Sequence, residues 1–199
     1  MKNKQYLIAD ARKEQIINAA IDALREYGYV NTSLSKIADK AKTSTGLLSY
    51  HFSGKEDLMN HTLLYLVEQE KAFIKEKVEN EKTYTDQLMA FIDQGIAYRG
   101  IKRENTTALL EIVFNVRTPD NVPYFKGEIT PEDELNLLLE KILSEGQKAK
   151  EFNEFDTKVV AMIIRGAVSL SMSLPQIEDD PRFEEYSVKV KENIFKMIK

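Results

Sequence analysis

A chain of 199 residues can bury a sizeable core in one or two domains, and a composition of 43% apolar and 30% charged residues excludes a disordered chain. No cysteine is present, which excludes a disulfide framework and a thiolate metal site and fits a reducing cytosol. The formal net charge of −4 opposes nucleic-acid binding only if it is evenly spread. It is not: residues 1–60 hold nine Lys/Arg against seven Asp/Glu, and residues 61–199 hold nineteen against twenty-five, so a weakly basic head precedes an acidic body.

The opening MKNKQYLIADARKEQ has too few apolar residues for a signal peptide and is expected to be a mobile arm. From Asp10 to Tyr27, Ile17, Ala20, Ile21 and Leu24 fall at i, i+3, i+4 and i+7, one stripe of an amphipathic helix ended by Gly28.

Next comes TSLSKIADKAKTSTGLLSYHFSGKEDL, from Thr32 to Leu58. Leu34, Ile37, Ala38 and Ala41 give two turns of helical spacing after a capping oxygen on Thr32 or Ser33. After Lys42 and Thr43 a second helix starts on Ser44, with Leu47, Leu48 and Phe52 inward and Thr45, Ser49, Tyr50 and His51 outward. Ser53, Gly54, Lys55 and Glu56 read as a capping box opening a third helix, in which Ser53 takes the Glu56 amide and the Glu56 carboxylate reaches back. Two helices joined by about three residues can place the second in a DNA major groove while the first crosses the backbone, and Thr45, Ser49, Tyr50, His51 and Lys55 can all donate to phosphates or base edges. The spacing alone equally permits an αα-corner in an ordinary helical core.

The run Ala38, Ala41, Ser44, Gly46, Leu48, His51, Phe52, Lys55, Leu58 resembles the DNA-binding region of the tetracycline-repressor (TetR) family of bacterial transcriptional regulators. Ile16 to Gly28 and then Thr32, Ser33, Ile37 and Ala38 extend the resemblance over roughly residues 12 to 62. It implies DNA contacts at Thr32, Ser33, Ser44, Thr45, Gly46, Leu47, Ser49, Tyr50, His51 and Lys55. Two positions depart from the family pattern. Lys42 stands where Gly is usual, a cost of about 1 kcal/mol if the turn demands positive φ. Ser49 replaces a frequent Tyr, and its shorter reach shifts that phosphate contact toward Tyr50.

Beyond Glu56 a helix is expected to run unbroken to about Val78. Thr83 to Asp86 starts another, carrying Leu88, Phe91, Ile92, Ile96 and Tyr98 up to Gly100. Asn105 to Arg117 makes the next, stopped by Pro119, and Thr130 with Pro131 opens one that lasts to about Lys150. Asp156 opens a helix ending before Pro175, and Asp180 with Pro181 opens the last. The expected fold class is therefore all-α: a helix-turn-helix domain with its N-terminal arm over residues 1–56 and a helical bundle over 57–199.

In the bundle, Val159, Val160, Met162, Ile163, Ile164, Val168, Leu170, Met172 and Leu174 point nearly all round their helix, so it must be covered on more than one face. Packing helices near 131–150 and 156–174 against a second copy would form a four-helix homodimer interface, with Gly166, Ala167, Ser169 and Ser173 allowing close approach. The alternative is a central core helix in a monomer. The resemblance implies the dimer, a palindromic double-stranded DNA site, and a small-molecule cavity among the middle helices. Candidate walls are Phe91, Tyr98, Phe114 and Met162, with Arg99, Glu111 and Arg165 as polar contacts; each also reads as plain core. Arg165 needs a carboxylate partner, from across the dimer or from a ligand.

Catalysis has no support: there is no HExxH, Gly-rich phosphate loop or G-x-S-x-G elbow, and His51 and His61 are off one helical face. No cofactor or metal motif is present, and the longest apolar run is shorter than a membrane span and interrupted by Arg165. The expected function is a repressor released from its operator by a small molecule; a constitutive or partner-controlled DNA binder shares the same head.

Overall fold

The structure, a computed structural model, describes the backbone of residues 2–117, 121, 122, 124, 134–171 and 181–199, and the side chains of these except 2–10 and 181–183. The described residues form α1 (Lys2–Asn31), α2 (Leu34–Lys40), α3 (Thr45–His51), α4 (Lys55–Val78), α5 (Tyr84–Ile101), α6 (Arg103–Asn115), α7 (Glu134–Lys148), α8 (Thr157–Leu170) and α9 (Pro181–Ile198). No strand occurs among them, so the fold is all-α as the sequence predicted. No described helix is long and apolar enough to cross a membrane. Apart from residues 121, 122 and 124, the loop expected over 118–130 lies outside the described residues, as do the helix start at Thr130 and Pro131 and residues Met172, Ser173 and Leu174.

Local chemistry accounts for most helix ends. Ser33, Ser44, Thr83 and Asp156 are N-caps whose side-chain oxygens accept the N–H of Lys36, Leu47, Asp86 and Val159 respectively. The backbone before Asp10, where an arm was expected, is helical from Lys2, since neither Pro nor Gly occurs there to stop α1. The cap of α4 sits one residue later than predicted: Gly54 precedes the helix, and Asp57, not Glu56, reaches back to accept the Ser53 N–H at 2.9 Å. Gly54 has no side chain to accept an amide, so this single bond from the Ser53 N–H replaces the predicted reciprocal box. Gly28 interrupts the helical backbone of α1 as predicted, but Gly100 does not stop α5, which continues to Ile101.

The chain forms two compact units, Met1–Glu68 with Glu104–Ile129, and Gln69–Arg103 with Thr130–Lys199. In the first, Ile17, Ala20, Ile21 and Leu24 of α1 are all buried, as the 3.6-residue stripe required, against Ile37, Ala38, Leu48, Phe52, Leu58 and Met59. Ala108, Ile112 and Val116, distant in sequence, complete this core. In the second, Phe91, Ile92 and Ile96 of α5 pack with Leu139, Ile142 and Leu143 of α7 and with Val160, Ile164 and Val168 of α8.

Exposed apolar residues bear on the expected pairing surface. Leu135, Leu139, Ile142 and Leu143 of α7 are buried inside the second unit, while Leu137 of the same helix is 47% exposed. Val159, Met162, Ile163 and Leu170 of α8 and Val188 and Met197 of α9 remain exposed, Met162 by 66%. Exposed apolar residues thus occur on α7, α8 and α9, most of them on α8.

Candidate nucleic-acid interface

The α2–α3 pair is shaped by its turn. Thr43 N–H donates to the Ala38 carbonyl at 3.0 Å and Lys42 N–H to the Asp39 carbonyl at 3.1 Å, the two bonds of a Schellman ending, with Lys42 at φ 52. Lys42 therefore does occupy the left-handed position that the departure from Gly made questionable. Gln15 of α1 anchors the same corner by donating its side-chain amide to the Ala41 carbonyl at 2.8 Å.

On α3, Leu48 is fully buried and fixes the helix rotation. Thr45, Gly46, Ser49 and Tyr50 are then the exposed residues, one arc of the surface, with Tyr50 81% exposed. Leu47 and His51 are half-buried at its edges, and the Tyr50 and His51 rings meet edge to face at 5.1 Å. Ser33 and Ser44 are exposed; their oxygens accept backbone N–H groups, which leaves each hydroxyl proton to donate outward. Such a face, neutral and rich in donors at the start of a short helix, suits phosphate oxygens and base edges.

Two predicted contacts point elsewhere. Thr32 is 2% exposed, and its hydroxyl donates to the Gly28 carbonyl at 2.7 Å with the Ala23 carbonyl at 3.1 Å, so it locks the end of α1. Lys55 is half-buried: its Nζ donates to the Tyr29 carbonyl at 2.6 Å and lies 4.1 Å above the Tyr29 ring, and burial pushes its pKa below the ordinary lysine value. Sequence reasoning missed Glu111 as a partner of the head, where it accepts the Tyr29 N–H at 2.7 Å; a separation of 82 residues carries no local signal.

The candidate ligand residues are divided between the units. Glu111 and Phe114 belong to the first, and Phe91, Tyr98, Arg99, Met162 and Arg165 to the second. Phe91 and Tyr98 are buried core, with the Tyr98 ring 5.4 Å from that of Phe73, whereas Met162 faces out. Arg99 and Arg165 do converge, on Glu70 of α4, which the sequence reading overlooked. Arg99 Nη2 donates to Glu70 Oε1 at 2.7 Å, and Arg165 Nη1 lies 3.8 Å from the same oxygen. The carboxylate that Arg165 was expected to find across a dimer or on a ligand is therefore in its own unit. Glu70 is 4% and Arg99 5% exposed, and Arg99 Nε is buried with no acceptor among the described residues.

Residues 16–62 match the family described as bacterial regulatory proteins, tetR family. The matched stretch is the head that carries α2 and α3. The chain is 35% identical over 72 residues to the HTH-type transcriptional regulator HbdR of Aromatoleum sp. (strain CIB), an alignment covering 36% of this chain and 31% of HbdR. The chain thus spans less than a third of that relative. Similarity of fold extends much further. FadR from Bacillus subtilis, solved in complex with stearoyl-CoA, superposes with a TM-score of 0.72 at 21% identity, covering 91% of this chain and 96% of FadR. AibR, solved in complex with isovaleryl coenzyme A and operator DNA, gives a TM-score of 0.70 at 16% identity, covering 90% and 96%. The chain therefore shares the all-α fold of both.

Proposed function

We propose that this protein is a homodimeric, sequence-specific DNA-binding repressor of the TetR family that a small molecule releases from a palindromic operator. The observation that carries the reading is the α3 face of Thr45, Gly46, Ser49 and Tyr50, left exposed by a helix whose rotation Leu48 fixes, on a helix-turn-helix that matches the family. Two copies paired through the exposed apolar residues of α8 and α9 would carry two such faces, and a two-fold dimer reads half-sites one DNA turn, about 34–36 Å, or a multiple apart.

For the second unit we infer an effector bearing an acidic group, because the buried Arg99 Nε–H, beside Glu70, has no acceptor among the described residues. FadR and AibR each bind a coenzyme A thioester, a compound of that charge class, which makes acyl-CoA thioesters the first probes to try. An effector that prefers the conformation with misplaced reading helices lowers DNA affinity by its differential affinity for the two states.

The test is footprinting of the purified protein on DNA flanking its own coding region, against unrelated DNA at fixed salt, with and without acyl-CoA thioesters of several chain lengths. Protection of a two-fold symmetric site, lost on adding a thioester, supports every part of the reading. Protection that no compound disturbs refutes the released repressor in favour of a constitutive binder. Equal affinity for all sequences refutes sequence-specific regulation.

A further inference from the structure

Three helices of the first unit meet on one residue. Gly28 has φ 69 and ψ 170, a backbone conformation open to glycine and strained for any side chain, and it kinks α1 so that Tyr29 offers its N–H sideways. That N–H donates to Glu111 Oε2 of α6 at 2.7 Å, and the same carboxylate oxygen lies only 3.5 Å from where a Cβ on Gly28 would stand. Asn115 steadies Glu111 from the next turn, donating to its carbonyl at 2.9 Å with Oε2 at 3.4 Å. The Tyr29 carbonyl accepts from Lys55 Nζ of α4 at 2.6 Å, and the Tyr29 ring lies under the same ammonium. Both backbone polar groups of one residue thus bond to charged side chains of opposite sign.

The sequence positions give this clasp its meaning. Residues 30–54, between Tyr29 and Lys55, hold the whole of α2, its turn and α3. The bond from Lys55 to Tyr29 therefore closes the reading pair into a loop, and Thr32 and Lys36 fasten the entry to that loop through the Gly28 and Asn31 carbonyls.

Resting on the DNA-binding reading above, we propose that Lys55 and Glu111 are positioning residues for DNA recognition, which clasp Tyr29 from α4 and α6 and so fix the entry and exit of the α2–α3 pair. Lys55 acts through Tyr29 and not as a phosphate contact, which is the role its place in the pattern of sequence suggested.

Counterion release separates the two roles. A lysine that neutralises a phosphate contributes about 0.9 to the slope of log affinity against log salt, whereas a lysine that only holds the backbone lowers affinity and leaves the slope alone. The experiment measures affinity of the full chain for its footprinted duplex across a salt series, with Lys55→Met, Lys55→Arg, Glu111→Gln and the Lys55→Met/Glu111→Gln pair. Circular dichroism confirms that each variant is folded at the assay temperature. Lys55→Met and Glu111→Gln are each expected to lose about tenfold in affinity at unchanged slope, since the first removes a charge-assisted bond and the second takes the charge from one. Lys55→Arg is expected to restore binding, and the double variant to lose clearly less than the product of the single losses.

A slope shallower by about 0.9 in Lys55→Met, with Glu111→Gln binding like wild type, would overturn the proposal and make Lys55 a phosphate contact. Multiplying losses in the double variant would overturn the clasp as a unit. Should Lys55→Met fail to fold, Glu111→Gln decides alone, because it keeps an amide oxygen able to accept from Tyr29 and loses only the charge; wild-type affinity in it refutes the proposal. Failure of the wild-type protein to prefer any sequence is a separate result, and sinks the DNA-binding reading itself.

Discussion

Replacing Lys42 by glycine is expected to stabilise the protein although it removes a side chain. Lys42 is exposed at φ 52, so its side chain carries no buried packing to lose, while the left-handed conformation costs a residue with a Cβ roughly 1–2 kcal/mol. Glycine escapes that cost but gives back roughly 0.5–1 kcal/mol through its greater freedom in the unfolded chain. The net expectation is a gain of about 0.5–1 kcal/mol, or about 1–4 °C in melting temperature for a chain of this length. Lys42→Ala is the control, since it removes the same charge and keeps the strain; it should gain nothing. Urea unfolding by circular dichroism, together with hydrogen exchange at the Leu48 amide, reads both variants against wild type. A loss of stability in Lys42→Gly, or an equal gain in Lys42→Ala, would refute the assignment of the strain to this backbone position. Both variants lack one positive charge, so any difference between them in DNA affinity reports the backbone of the turn alone.

Three further outcomes are expected. Met162→Glu, on the exposed face of α8, should shift the protein to monomer in sedimentation experiments, and an unchanged dimer would move the interface elsewhere. Burial raises the Glu151 carboxyl, but its hydrogen bonds from Thr85 and then Tyr84, at the start of α5, outweigh that and hold it below the ordinary 4.5. After allowance for solvent screening at this surface site, Glu151→Gln should cost about 0.5 kcal/mol at pH 7 in urea unfolding, a gap present above the ordinary value and closing as pH falls through the lowered one, where the folded protein loses the same charge. Tyr50→Phe should lower affinity for every DNA sequence about fivefold to tenfold without altering the salt slope, since the lost phenol is neutral, while Ser49→Ala should not.

What the sequence disclosed and what it hid divide by range. The stripes of α1 and α5, the caps at Ser33, Ser44, Thr83 and Asp156, and the left-handed turn at Lys42 are set by neighbours within a few residues, and all were legible. The face of α3 was legible for the same reason, because Leu48 alone decides which residues face outward. The inward turn of Lys55 was not, since it depends on where α1 ends, 26 residues away. The division of apolar residues between core and surface was hidden by composition: Leu-rich α7 and the apolar α8 look alike as sequences, and only packing against α5 shows that most of the α7 leucines are core while Val159, Met162, Ile163 and Leu170 of α8 stay exposed. Glu70 was invisible as a site residue because an acid on a long amphipathic helix ordinarily faces water.

The Glu70 and Arg99 pair is the feature of the second unit that stability alone does not explain. Two charges at 4% and 5% exposure have lost nearly all their water, and a buried ion pair is often no better for folding than apolar residues of the same volume. Arg99 also keeps a buried Nε–H without an acceptor among the described residues, a debit of about 1–3 kcal/mol. Removing Glu70 alone by Glu70→Leu strands the guanidinium and should cost about 3–5 kcal/mol. Adding Arg99→Met to it should recover most of that loss, as Arg165, partly exposed, can turn its charge toward water. If the pair serves an acidic effector, the double variant will fold and bind DNA like wild type but no longer be released by any acyl-CoA thioester. A double variant as unstable as Glu70→Leu would show instead that the pair holds the unit together, and one still released by thioesters would place the effector away from Arg99.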